Sequence, residues 1–197
     1  MLESIIRQGF ADEFGFAVDE AILNGTGAGM PLGIMNSPAL VTITRSVAST
    51  IAAVDIFKMW ARTINPNNAF WVVNQDIFPV LYALSISVGT AGGSLVFQPA
   101  GGLSGAPYST LIGRPIIVSE SAASYGTKSD ISLCNFGEGY VIVSKPVESA
   151  SSIHVKFDTD QSTFRFVLRI DGQPTLNNSI SPFKGATNTV SHFTTLS

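Results

Sequence analysis

Apolar residues in the first 24 positions recur at helical spacing. Leu2, Ile5, Ile6, Phe10, Phe14, Ala17, Val18, Ala21 and Ile22 follow one another mostly in steps of three and four, which predicts a helix over 1–24. Asn24-Gly25 supplies its stop. No capping residue precedes Leu2, so the helix reads as entered part-way along its length. A Gly- and Pro-rich loop, GTGAGMPLGIMNSP, then leads to a short alternating strand at Leu40–Thr44. Asp55 is placed to cap a helix through about Ile64, with Ile56, Phe57, Trp60 and Ile64 as its apolar stripe. The run AFWVV at 69–73, bounded by turn residues, predicts a buried strand. Asn74 caps a further helix to about Leu84, and Pro79 falls near its first turn, where a missing N–H is tolerated.

Beyond Ala106 the pattern turns to strands. The candidates are Pro115–Ser119, Ile131–Asn135, Tyr140–Val143, Ile153–Lys156 and Phe164–Ile170, with Asp171-Gly172 as a turn. From Gln173 to Ser197 the chain is polar, and Pro174 and Pro182 are expected to break any regular element there. Residues 85–106 carry six glycines and no charge, the composition of a mobile loop or of a surface ordered only by a partner.

Composition sharpens this picture. The 197 residues suit one domain with a real core. Charged residues make up 13%, about half of the usual ~25%. The surface is therefore largely neutral, as for a protein that meets partners over much of its area. A net charge of −3 argues against a basic nucleic-acid module. No apolar run approaches the length of a membrane span, and acidic residues at 3, 12, 13 and 19 exclude a secretory signal peptide. A single cysteine, Cys134, excludes a disulfide framework and a cysteine-rich zinc site.

Catalytic signals are sparse. There is no G-x-S-x-G elbow and no phosphate-binding G-x-x-x-x-G-K loop. The Gly25–Met30 stretch follows a helix rather than a strand and places Met30 where a dinucleotide loop needs Gly. Asp158–Ser162 matches the start of a calcium loop but lacks its central Gly and final Glu, so it reads as a hairpin turn. His154 and His192 have no neighbours at metal-ligand spacing, and Cys134 sits in an apolar strand as a small hydrophobe would. No catalytic, metal or cofactor residue is assigned. Arg165 and Arg169, four apart on one strand pattern, are expected to share a face, either a solvated strand face or a contact with a neighbouring subunit.

Several spaced stretches together resemble the carboxy-terminal part of the HK97-like tailed-phage major capsid proteins. FAVDEAILNGTGAGMPLGI at 16–34 resembles the end of the family's spine helix and the N-G-x-G loop after it. FWVVNQDIFPVLYAL at 70–84 is similar to its strand-Asn-helix unit, and LIGRPIIVSE at 111–120 to its L-x-G-x-P-V turn and strand. NFGEGYVIVSK at 135–145 resembles the G-D-F-x-x-Y-x-I stretch, with Gly137-Glu138-Gly139 in place of the usual acidic-aromatic pair. FRFVLRIDG at 164–172 resembles the strand that closes the pattern, and the tail after Gly172 matches poorly.

The resemblance implies an α+β, HK97-like capsid fold, an axial domain plus part of the peripheral domain, truncated at the spine helix. It divides the chain into a spine-helix end and peripheral loop at 1–40, an axial domain at about 41–140, and return strands with the tail at 141–197. The family's amino-terminal arm, extended loop and most of its spine helix have no counterpart, as in a truncated or processed chain. The implied function is a structural, non-enzymatic subunit of an icosahedral phage or prophage shell, made in the bacterial host cytoplasm and residing in the virion. Its implied partners are further copies of itself in pentamers and hexamers, packaged double-stranded DNA bound without sequence specificity, and scaffold, protease and portal proteins. No membrane and no cofactor is implied. An encapsulin-like shell around a cargo enzyme is the near alternative; an unrelated hydrolase using Cys134 or loop serines is the distant one. The expected intersubunit contacts are Gly25, Gly27, Gly29 and Pro31 in the first loop, Gly92, Gly93, Gly101 and Gly102 in the second, set toward the capsomer centre, and the face with Arg165 and Arg169.

Overall fold

The computed structural model describes residues 2–87, 93–95, 110–159, 161–184 and 188–197. In chain order its elements begin with α1 (Leu2–Asn24), β1 (Val41–Ile43), α2 (Ala53–Arg62), β2 (Phe70–Val73), α3 (Phe78–Ala83), β3 (Ser85–Ser87) and β4 (Gly93–Leu95). They continue with β5 (Thr110–Leu111), β6 (Arg114–Val118), β7 (Ile131–Cys134), α4 (Phe136–Gly139), β8 (Tyr140–Ser144), β9 (Glu148–Lys156), β10 (Gln161–Val167), β11 (Ile170–Pro174) and β12 (Phe193–Leu196). A six-stranded mixed sheet runs in the order β1-β12-β7-β2-β6-β5; β9–β10, β8–β11 and β3–β4 form separate antiparallel pairs.

The continuous apolar run of β2 is explained by cover on both sheet faces. Trp71 and Val73 join a core with Ile56 and Met59 of α2 and Leu81 of α3. Phe70 and Val72 face the other way, toward Leu23 at the end of α1, Ile34, Cys134 and Phe193. Trp71 is wholly buried, and its indole N–H donates to the Leu111 carbonyl at 2.8 Å, so its one polar atom is satisfied. A buried ion pair, Arg45 to Asp130 at 2.7 Å, closes one end of the sheet. The Asp130 carboxylate also accepts from the amides of Gly126 and Ile131.

Five expectations change. Asp55 does not cap α2: Ala52 holds the cap position, and Asp55 lies in the first turn, buried. Its carboxylate accepts the Ser46 hydroxyl at 2.5 Å, the Ser46 amide and the Lys58 ammonium, tying the preceding loop to the helix. Burial raises its pKa, and those hydrogen bonds outweigh burial, so the net shift is downward. Of the expected α2 stripe, Ile56 is buried with Met59, Trp60 is half-buried, Phe57 is exposed, and Ile64 lies beyond the helix.

Asp171-Gly172 is not a turn either. Both residues lie inside β11, paired with Val143 and Ile142. The chain breaks earlier, at Leu168-Arg169, so Arg165 and Arg169 do not share a strand.

The polar tail holds a central strand. β12 pairs in parallel with β1 and antiparallel with β7, and all four of its residues are buried. Two hydroxyl pairs make this possible: Thr194 with Thr63, and Thr195 with Ser132, each at 3.0 Å. Buried hydroxyls paired in this way avoid most of the cost of losing water.

Candidate functional site

Three of the stretches that carried the family resemblance, 16–34, 135–145 and 164–172, meet in space at the loop after α1. Thr26 and Leu32 form an antiparallel bridge across the loop. The Leu32 amide donates to the Gly172 carbonyl of β11 at 2.8 Å, and the Tyr140 hydroxyl donates to the Leu32 carbonyl at 2.9 Å. Burial raises the Tyr140 pKa, with the charge of Asp171 adding to it, so this phenol stays a donor. The Asn36 side-chain amide donates to the carbonyls of Asn24 and Gly25, folding the loop back on the helix end.

Within this loop the four expected contact residues separate into two kinds. Gly25 and Pro31 are buried against their own chain. A Cβ on Gly25 would stand 2.2 Å from the Pro31 carbonyl oxygen and 2.3 Å from that of Ala21, so the crossing requires glycine. Gly27 and Gly29 are exposed, at the tip. They, with Met30 at 46% exposure, are the part of the loop that a second molecule can reach.

In the second loop, Gly93 opens β4, which pairs with β3. Gly92, Gly101 and Gly102 lie outside the described residues. Arg165 and Arg169 are both exposed. Arg165 is on the side of β10 away from Phe166, whose ring stacks on Phe10 of α1 at 4.5 Å.

The β8–β11 ribbon was missed as a surface. Val141, Ile142 and Val143 are all exposed, Val143 at 68%. An apolar run such as YVIVS reads in sequence as a strand covered on both faces. Here the face with Val141 and Val143, opposite Asp171 and Gln173, is exposed along its length, and a two-stranded ribbon is marginal in water unless something covers it.

Among the described residues no cluster of His, Cys, Asp and Glu is placed to hold a metal, and no helix is long and apolar enough to cross a membrane. Cys134 is wholly buried, and burial pushes its thiol far above the ordinary value, which keeps it protonated. His154 is exposed on β9. His192 is half-buried; burial lowers its pKa and the charge of Glu138 opposes this. The site that remains is a surface: the exposed loop tip and the exposed face of the ribbon.

A model of the phage capsid family matches residues 1–185. The chain belongs to the phage capsid family. Solved capsids carry the same fold. The capsid of a native GTA particle computed with C5 symmetry matches with a TM-score of 0.74 at 17% identity, covering 98% of this chain and 64% of that one. The capsid of an empty GTA particle, also computed with C5 symmetry, matches at 0.73 and 18%, covering 98% and 65%. This capsid-family chain thus spans less than two thirds of the length of either neighbour. No curated protein matches it. The α+β, HK97-like fold expected from the spaced motifs is the fold of the chain, and the family is that of a structural protein.

Proposed function

We propose that this capsid-family chain is a subunit that assembles with copies of itself, through pentamers and hexamers, into an icosahedral phage or prophage shell. Supporting this reading most directly is the match over 98% of the chain to capsids computed with five-fold symmetry. The exposed ribbon face and the exposed loop tip at Gly27 and Gly29 agree with it, since a shell subunit leaves apolar surface for its neighbours. In this reading 1–40 and 141–197 contribute mainly to the peripheral part and 41–140 to the axial part, with β12 returning to the axial sheet. Double-stranded DNA is the enclosed cargo. The low net charge suits a wall that does not hold DNA in a strong, salt-dependent grip. Scaffold, protease and portal proteins complete the partner set, and synthesis takes place in the bacterial host cytoplasm.

The test is the content of the particles. The protein is expressed in bacteria, and fast-sedimenting material is collected, treated with nuclease and then opened. Protected double-stranded DNA is the expected result for particles formed in a phage-infected or prophage-induced host. Particles that hold only a co-purifying enzyme point to a cargo-bearing shell instead. Absence of any fast-sedimenting form contradicts the shell.

A further inference from the structure

Helix α1 carries apolar residues on two opposite sides. One side packs within the chain: Ile6, Phe14 and Val18 are half-buried, and Phe10 stacks on Phe166 of β10. On the other side, Ile5, Asp12, Phe16 and Glu20 follow in steps of seven, four and four, which places them along one stripe. Ile5 is 64% exposed and Phe16 is 51% exposed. Glu13 and Asp19 border the stripe, and both are exposed. This outer face therefore carries two exposed apolar side chains, Ile5 and Phe16, among four carboxylates, of which Asp12 accepts from the Gln8 side chain and Glu20 from that of Asn24.

The ribbon presents the complementary pattern. Val143 stands opposite Asp171, and Val141 opposite Gln173, so these four share one face. The Lys145 amide donates to the Arg169 carbonyl at 2.9 Å, which carries the register one step further and adds Lys145 and Arg169 to that face. Val141, Val143, Lys145 and Arg169 are all exposed. Asp171 is the one carboxylate among them, and it accepts from the Gly172 amide. The face offers two valines beside two cations.

We propose that the outer face of α1 in one copy docks on the Val141–Lys145 face of the ribbon in a second copy. The occupant is a second copy because the two patches match each other in kind. Each carries two exposed apolar side chains, and the surrounding charges are opposite in sign. The stripe from Ile5 to Glu20 is about 22 Å long at 1.5 Å per residue, and the ribbon from Val141 to Lys145 about 14 Å, so the ribbon fits within the helix face. The patches are different surfaces, so the contact is head-to-tail and propagates around a ring. The inference rests on the self-assembly reading above and names a surface that carries it.

Two charge-reversed chains test it. One is Lys145→Glu with Arg169→Glu, leaving both patches acidic. The other is Asp12→Lys, Glu13→Lys, Asp19→Lys and Glu20→Lys together, leaving both basic. Self-association is measured by sedimentation velocity at rising protein concentration, at about 50 mM and about 500 mM salt. The unaltered chain is expected to associate, and less so at high salt. Each reversed chain alone is expected to associate at least roughly tenfold more weakly, because like charges face each other. An equal mixture of the two is expected to associate again, since every contact then joins opposite signs; misfolding would not be repaired by mixing. Reversed chains that associate like the unaltered one overturn this contact and leave the self-assembly reading intact. A mixture that stays dissociated also overturns the contact. An unaltered chain that is monomeric throughout overturns both.

Discussion

Two phenylalanines ten residues apart in the tail give the sharpest test of the fold. Phe193 begins β12, is 1% exposed, and packs its ring edge-on to Phe136 at 5.6 Å, among Leu23, Ile34, Val72 and Cys134. Phe183 is fully exposed. Replacing a buried Phe by Ala removes its transfer energy and leaves a cavity, which costs about 3–5 kcal/mol. A chain of this size loses roughly 2–4 °C of Tm per kcal/mol. Phe193→Ala is therefore expected to lower Tm by roughly 6–20 °C, and Phe183→Ala to change stability by under about 0.5 kcal/mol. Thermal melts read the Tm shift, and urea unfolding followed by tryptophan fluorescence reads the free-energy changes, with the slope against urea checked for constancy. Should Phe193→Ala not accumulate as folded protein, the milder Phe193→Leu is expected to give an intermediate loss. Equal, small effects at 183 and 193 would refute the central position of β12 in the sheet.

Other consequences follow from single sites. Gly25→Ala is expected to destabilise by about 1–3 kcal/mol in chemical denaturation, because its Cβ would collide with two backbone carbonyls that cannot move independently. The Asp55 carboxylate has a lowered pKa in the folded chain, so its contribution is present above its ordinary value of 3.8 and is lost as pH falls through the lower folded value. The stability gap between the wild-type chain and Asp55→Asn, read from urea melts, should close over that acidic range and remain open at neutral pH. Cys134 should resist maleimide in the folded chain and react on denaturation; rapid labelling of the native protein would contradict its burial.

Much of the architecture was legible because its elements obey local rules. The 3.6-residue spacing of α1, the AFWVV strand and the Asn74 cap, whose side chain accepts the Asp76 amide, all appear where local chemistry puts them. The misses have a common cause in tertiary context. Phe193-Thr194-Thr195-Leu196 looks like a polar tail because its threonines are read as solvent-facing. They are buried only because Thr63 and Ser132, from distant parts of the chain, supply hydroxyl partners. Asp55 looks like a cap because only the fold brings Ser46 and Lys58 to its carboxylate. Of the exposed surface described above, the loop tip at Gly27 and Gly29 was named from sequence and the ribbon face was not. The loop glycines are expected as contacts, yet Gly25 serves an internal crossing, and the valines of β8, expected only as part of a strand, stand exposed. A strand whose cover comes from another molecule has the same sequence pattern as one covered by its own chain.

Electron microscopy of the full-length protein, concentrated in low salt, tests the central claim most directly. The account predicts rings of five or six subunits, or closed shells built from them. A protein that remains strictly monomeric at high concentration would contradict it.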